Sequence, residues 1–89
     1  MKHVSIHVVG KVQGVFFRAS TKEKADEFGV KGAVRNNIDG SVSIDAEGEE
    51  KNLQAFIEWC QQGPKFALVE RCEVSEKPLK HFKNFVIER

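Results

Sequence analysis

The fold class that the sequence predicts is α+β: a split βαβ sandwich in which four to five strands carry two helices on one face. Three observations predict it. Apolar residues alternate at period two in some segments and recur at helical spacing in two others. Read along the chain, these segments fall in the order β-α-β-β-α-β, with a short strand after them. The chain has 89 residues, which fits one domain, residues 1–89, with no room for a second.

His3 to Val9 alternate, with Val4, Ile6 and Val8 in phase, which predicts a half-buried strand ending at Gly10. Lys11 to Phe17 has neither period. From Arg18 a helix is expected, because Phe17, Thr21, Ala25 and Phe28 share a face and Gly29 is a natural stop. Val30, Gly32 and Val34 alternate again as a second strand. Asn37-Ile-Asp-Gly40 reads as a turn, since Asp-Gly readily supplies a positive φ. Val42, Ile44 and Ala46 form the inner face of a third strand. Leu53, Phe56, Ile57 and Cys60 sit at i, i+3, i+4 and i+7, the pattern of an amphipathic helix. Glu49 and Glu50 lie at its positive end and Gly63-Pro64 stops it. Leu68 to Val74 is a fourth strand whose phase slips between Val69 and Cys72, the mark of a bulge. Phe85 and Ile87 add a short terminal strand. Two right-handed crossovers onto one mixed or antiparallel sheet give the ferredoxin-like arrangement. That fold hosts many functions and decides none of them.

Composition narrows the field. Hydrophobic residues make up 40% and charged residues 30% of the chain, a globular balance. Fourteen Lys and Arg against thirteen Asp and Glu leave a net charge of +1, too little for the basic stripe that long nucleic acids require. No apolar run is long enough to span a membrane, and the N-terminus turns polar too soon for a signal peptide. Cys60 and Cys72 form no CxxC pair and are expected to be buried, reduced thiols of a cytoplasmic protein. Nothing points to an obligate dimer, so a monomer is expected.

The informative segment is Gly10-Lys-Val-Gln-Gly-Val-Phe-Phe-Arg18, between a strand and a helix N-terminus. Such a loop can aim several backbone N–H groups inward, and the helix dipole adds positive charge, which suits a phosphate-sized anion. Gly14 lets the backbone turn tightly and approach a ligand. Arg18 in the first helical turn is unfavourable by about 0.3–1 kcal/mol unless an anion compensates, and its guanidinium fork fits phosphate oxygens. By themselves these residues also fit an exposed arginine after an ordinary turn. The loop is no Walker A motif, because Gly10 to Gly14 is one residue short and no Lys-Ser or Lys-Thr follows. It has neither a GxGxxG fingerprint nor a carboxylate to hold magnesium.

This segment resembles the first signature of the acylphosphatase family, G-x-V-Q-G-V-x-F-R. Gly32-Ala-Val-Arg-Asn36-Asn-Ile-Asp39-Gly40-Ser-Val42 resembles its second, G-aromatic-V-x-N-x-x-D-G-x-V. Thr21, Ala25, Gly29, Gly63-Pro64, Ala67, Val69 and Phe85-Val-Ile87 also fall where that family places such residues, so the resemblance covers nearly the whole chain. It implies a small cytosolic enzyme that hydrolyses acyl phosphates to a carboxylate and inorganic phosphate with no metal and no cofactor. It implies that Arg18 binds the phosphoryl group and that the loop Gly14, Val15, Phe16, Phe17 and Arg18 cradles it through backbone amides. It implies that Asn36 positions the attacking water. Inorganic phosphate or sulfate would then compete with substrate. Ala33 departs from the pattern, standing where the family usually carries an aromatic residue. Without the resemblance, Asn36 also fits a turn-forming asparagine.

The remaining polar residues are expected to be inert. His3, His7 and His81 lack metal-ligand spacing and read as surface residues, the acidic residues as solvated, and Trp59 as packing. An RNA-binding module shares the element order but needs aromatics on its third strand, where Ser41 to Glu47 has none and carries two acids. The other alternative is a non-catalytic acylphosphatase-like binding module, such as larger carbamoyl-transfer maturation proteins carry. The presence of both Arg18 and Asn36 speaks against it.

Overall fold

The computed structural model describes residues 1–88. Its elements are β1 (Lys2–Lys11), α1 (Phe17–Phe28), β2 (Lys31–Asn36), β3 (Val42–Gly48), α2 (Glu50–Gln62), β4 (Leu68–Lys77) and β5 (Phe85–Ile87). The strands form one sheet in the order β4-β1-β3-β2-β5, with every pairing antiparallel except β2 with β5. This is the ferredoxin-like βαββαβ arrangement with an added parallel edge strand.

The alternation decides which face is covered. Val4, Ile6 and Val8 of β1 and Val42, Ile44 and Ala46 of β3 are buried together, on the face against which both helices pack. α1 contributes Phe17, Thr21 and Ala25, while Phe28 at its end is half-buried. It stops because Gly29 takes the left-handed conformation, φ 71°, which costs glycine nothing. α2 contributes the expected Leu53, Phe56, Ile57 and Cys60. Phe56 joins Trp59 and Phe85 in an aromatic cluster, with ring centroids 6.5 and 6.0 Å away, so Trp59 packs and does not offer a stacking platform. No helix among the described residues is long and apolar enough to cross a membrane.

The phase slip on β4 is a bulge. Val9 faces Arg71 and Gly10 faces Val69, which leaves Glu70 as the extra residue. β4 is an edge strand, and most of it is exposed. Cys72 is accordingly half-buried and not buried as expected, whereas Cys60 is fully buried. Burial pushes both thiols above their ordinary range, Cys60 more strongly.

Two expectations fail on the helix-free face, for one topological reason. β4 and β5 lie at opposite edges, so the segment 78–84 must cross the sheet to join them. It covers His3, which is 2% exposed and therefore no surface residue. His3 Nδ1 faces the Pro78 carbonyl at 2.8 Å, and its Nε2 faces Asp45 Oδ1 at 2.9 Å. The segment also covers Glu47, opposite His3 on β3, which is 2% exposed and therefore not solvated. Glu47 accepts N–H bonds from Lys80, His81 and Phe82 at 2.8, 3.1 and 2.8 Å. Burial alone would raise its pKa, but the three amides and the nearby His3 together hold it below its ordinary value.

Candidate active site

The site lies where β1 runs out and α1 begins. Gly14 bends the chain at φ 73°, and Phe16 takes a left-handed φ of 61° immediately before the helix. Phe16 occupies the N-cap position with no side chain capping the first amides, and the first turn has no acidic residue. The first free N–H groups of α1 are thus left for an outside acceptor, with the positive end of the dipole behind them. Ser20 N–H bonds back to the Phe16 carbonyl at 3.0 Å, which starts the helical ladder. Phe17 anchors the loop from below. It is 2% exposed, with the Trp59 ring centroid 5.8 Å away.

Among the described residues, Arg18, the second residue of α1, is held by a backbone carbonyl and by no side-chain carboxylate. Its Nη1 donates to the Glu88 oxygen at 3.1 Å, just beyond β5. A carbonyl orients the guanidinium without neutralising it, so its charge remains available to an anion. Asn36 is the last residue of β2, paired across to Val42. It is exposed, and it shares the face of Val34, the helix side. Among the described residues its side chain makes no hydrogen bond.

Gly14, Phe16, Phe17, Arg18 and Asn36 line one cleft of about 300 Å³, together with Val12, Ala19 and Ile87. That is the lower end of the range for small-molecule sites, about 300–1,000 Å³. Val15, the remaining loop residue, is buried at 8% exposure and does not line the cleft. Val12 belongs to the loop the sequence singled out, but the sequence indicated neither Ala19 nor the C-terminal contribution of Ile87 and Glu88. The alternation of Phe85 and Ile87 indicated a strand but not which edge it would join.

The turn after Asn36 is tied by side chains. Asp39 accepts from Ser41 N–H at 3.0 Å and from Ser41 Oγ–H at 2.6 Å, and these bonds hold its pKa below the ordinary carboxylate value. Asn37 Nδ2 donates to Ser41 and Ser43 Oγ at 2.9 and 2.8 Å. Gln13 reaches over from the loop and donates to the carbonyls of Asn37 and Ser41 at 2.7 and 2.9 Å.

A family model for acylphosphatase matches residues 4–87. The chain belongs to the acylphosphatase family. That makes it an enzyme, an acylphosphatase hydrolysing acyl phosphates. It is similar to the acylphosphatase of Marinobacter nauticus, 54% identical over 80% of this chain and 77% of that one. The crystal structure of acylphosphatase from Bacillus subtilis superposes with a TM-score of 0.97 at 39% identity, covering 100% of both chains. A structure of full-length HypF, in a phosphate- and nucleotide-bound form, contains the same acylphosphatase fold. It matches 99% of this chain but only 12% of that one, with a TM-score of 0.89 and 31% identity.

Proposed function

We propose that this acylphosphatase works by in-line attack of water on a phosphoryl group held in the cleft of the 14–18 loop. Arg18 and the amides of Val15 to Arg18 bind the phosphoryl oxygens, with Gly14 shaping the turn. The Asn36 side chain orients the water. The observation that carries this reading is the meeting of Arg18 and Asn36, 18 positions apart in sequence, in one cleft at an uncapped helix start.

The chemistry asks for no more than these groups. The leaving carboxylate has a low pKa and needs little acid help. Phosphoryl transfer is catalysed largely by positioning and by charge stabilisation. The arginine and the amides supply the second. An amide side chain supplies the first, because it offers both a donor and an acceptor to one water. Asn36 takes no proton, and the phosphate oxygens of the substrate receive it. The enzyme acts as a metal-free, cytoplasmic monomer on small acyl phosphates. The net charge of +1 and the aromatic-free third strand support a reading without nucleic acid.

Acetyl phosphate turnover, followed as loss of substrate and release of phosphate, tests the reading. The expected result is turnover unchanged by a chelator and inhibited competitively by inorganic phosphate or sulfate. The same anions should raise the melting temperature, since they bind the folded state. Activity lost in chelator and restored by magnesium would overturn the mechanism, and noncompetitive inhibition would move the anion site elsewhere.

A further inference from the structure

We infer that Gln13 is a positioning residue: its side-chain amide sets the distance between the anion-binding loop and Asn36. The inference rests on the roles proposed above for the loop and for Asn36. Gln13 immediately precedes Gly14, where the loop turns, and Asn37 immediately follows Asn36. One nitrogen, Nε2, donates to the carbonyl of Asn37 at 2.7 Å and to that of Ser41 at 2.9 Å, the two sides of the turn. Both acceptors are carbonyl oxygens, so the NH₂ end must face them, and both of its protons are used.

No other hydrogen bond among the described residues does the same work between these segments. The bonds among Asn37, Asp39, Gly40, Ser41 and Ser43 all lie inside the hairpin and stiffen it without fixing its place against the loop. His7 reaches Ser41 Oγ at 2.9 Å, but from β1, before the loop begins. The β2–β3 ladder reaches Asn36 paired with Val42 and goes no further. Among the described residues, Gln13 is therefore the side chain that joins the loop to the turn. The reaction needs water and phosphorus at a fixed separation, and a misplacement of 1 Å can cost about 10²-fold in rate.

The test compares Gln13→Met, of similar length but with no donor, with Gln13→Glu, which sets a carboxylate against two carbonyls. For each, kcat and KM for acetyl phosphate, the inhibition constant of inorganic phosphate and the melting temperature are measured. The same substitutions are then repeated on Asn36→Ala. The expected result is kcat lowered by about 10–10²-fold, more by Glu than by Met. The phosphate inhibition constant should move less than about threefold, since the loop amides and Arg18 remain. On Asn36→Ala the further loss of kcat should vanish, because two residues acting through one step are not additive.

A Gln13→Met enzyme with kcat within twofold of wild type would overturn the inference. So would a loss that is fully additive with Asn36→Ala, or a weakened phosphate constant at unchanged kcat, or two variants that do not fold. Failure of the underlying reading has a separate signature: Asn36→Ala alone would then turn over like wild type, which would remove both roles together.

Discussion

At the end of the sheet where β1 meets α1, Asn36 stands exposed with no side-chain hydrogen bond among the described residues, and the first amides of α1 have no side-chain cap. At the opposite end His3 and Glu47 are each only 2% exposed, and together they face five polar partners under the 78–84 crossover. One end leaves strong hydrogen-bonding groups open in a cleft. The other end spends them on holding a loop to the sheet. Burial and satisfaction, more than residue type, thus separate the polar groups that can act on a substrate from those that hold the fold.

Substitution should separate the two ends, and the largest effect belongs to Arg18. Arg18→Ala removes the main countercharge to the phosphoryl group, so acetyl phosphate turnover should fall by about 10³-fold or more. Lys should restore little, because a point charge does not replace the planar fork. An Arg18→Ala enzyme within about tenfold of wild type would take the residue out of the site. Asn36→Ala comes next. It should lower kcat and kcat/KM together by about 10²-fold, with KM and phosphate affinity by calorimetry close to wild type. If Asn36 only shaped the turn, the variant would melt earlier and still turn over.

The opposite end should show the reverse pattern. Glu47→Gln weakens the bonds to three backbone amides at once, at a cost of about 1–3 kcal/mol in stability, while folded protein keeps wild-type kinetics. A thermal melt paired with a turnover assay checks both halves of that statement. The smallest effect is its pH dependence. The folded-state pKa of Glu47 lies below its unfolded value, so its contribution is present above about 4.5 and is lost as pH falls through the folded pKa. Stability curves for wild type and Glu47→Gln should therefore converge as pH falls below about 4.5. Curves that stay parallel across that range would show that Glu47 does not report on folding through its charge.

The two ends also differed in how much of them was legible in sequence. Local pattern placed β1, β3 and α2 and their buried residues, because alternation and helical spacing act over a few residues. It placed the bulge on β4 for the same reason. It misjudged His3 and Glu47, since alternation assigns them to the polar face and cannot say that a distant segment will cover that face. It also misjudged Cys72, whose strand runs at an edge that only the sheet order reveals. Gly14, Phe16, Phe17, Arg18 and Asn36 were recognisable from two short signatures, and the cleft brings all five together. Val15 was named with them and is buried. Ile87 was legible as a strand residue, but the place of Ile87 and Glu88 at the site was not, because it depends on β5 docking beside β2.

That last contact has a consequence in time. Arg18 is held by a carbonyl 70 positions away, and Ile87 closes one wall of the cleft. A connection of that span is expected to form late in folding, since the entropy of closing so long a loop must first be overcome. A partly folded chain with β1, α1 and the β2–β3 hairpin in place would still lack the wall and the arginine's anchor. Recovery of acyl phosphate turnover during refolding should therefore trail the recovery of helical signal, which would make the activity itself a clock for the arrival of β5.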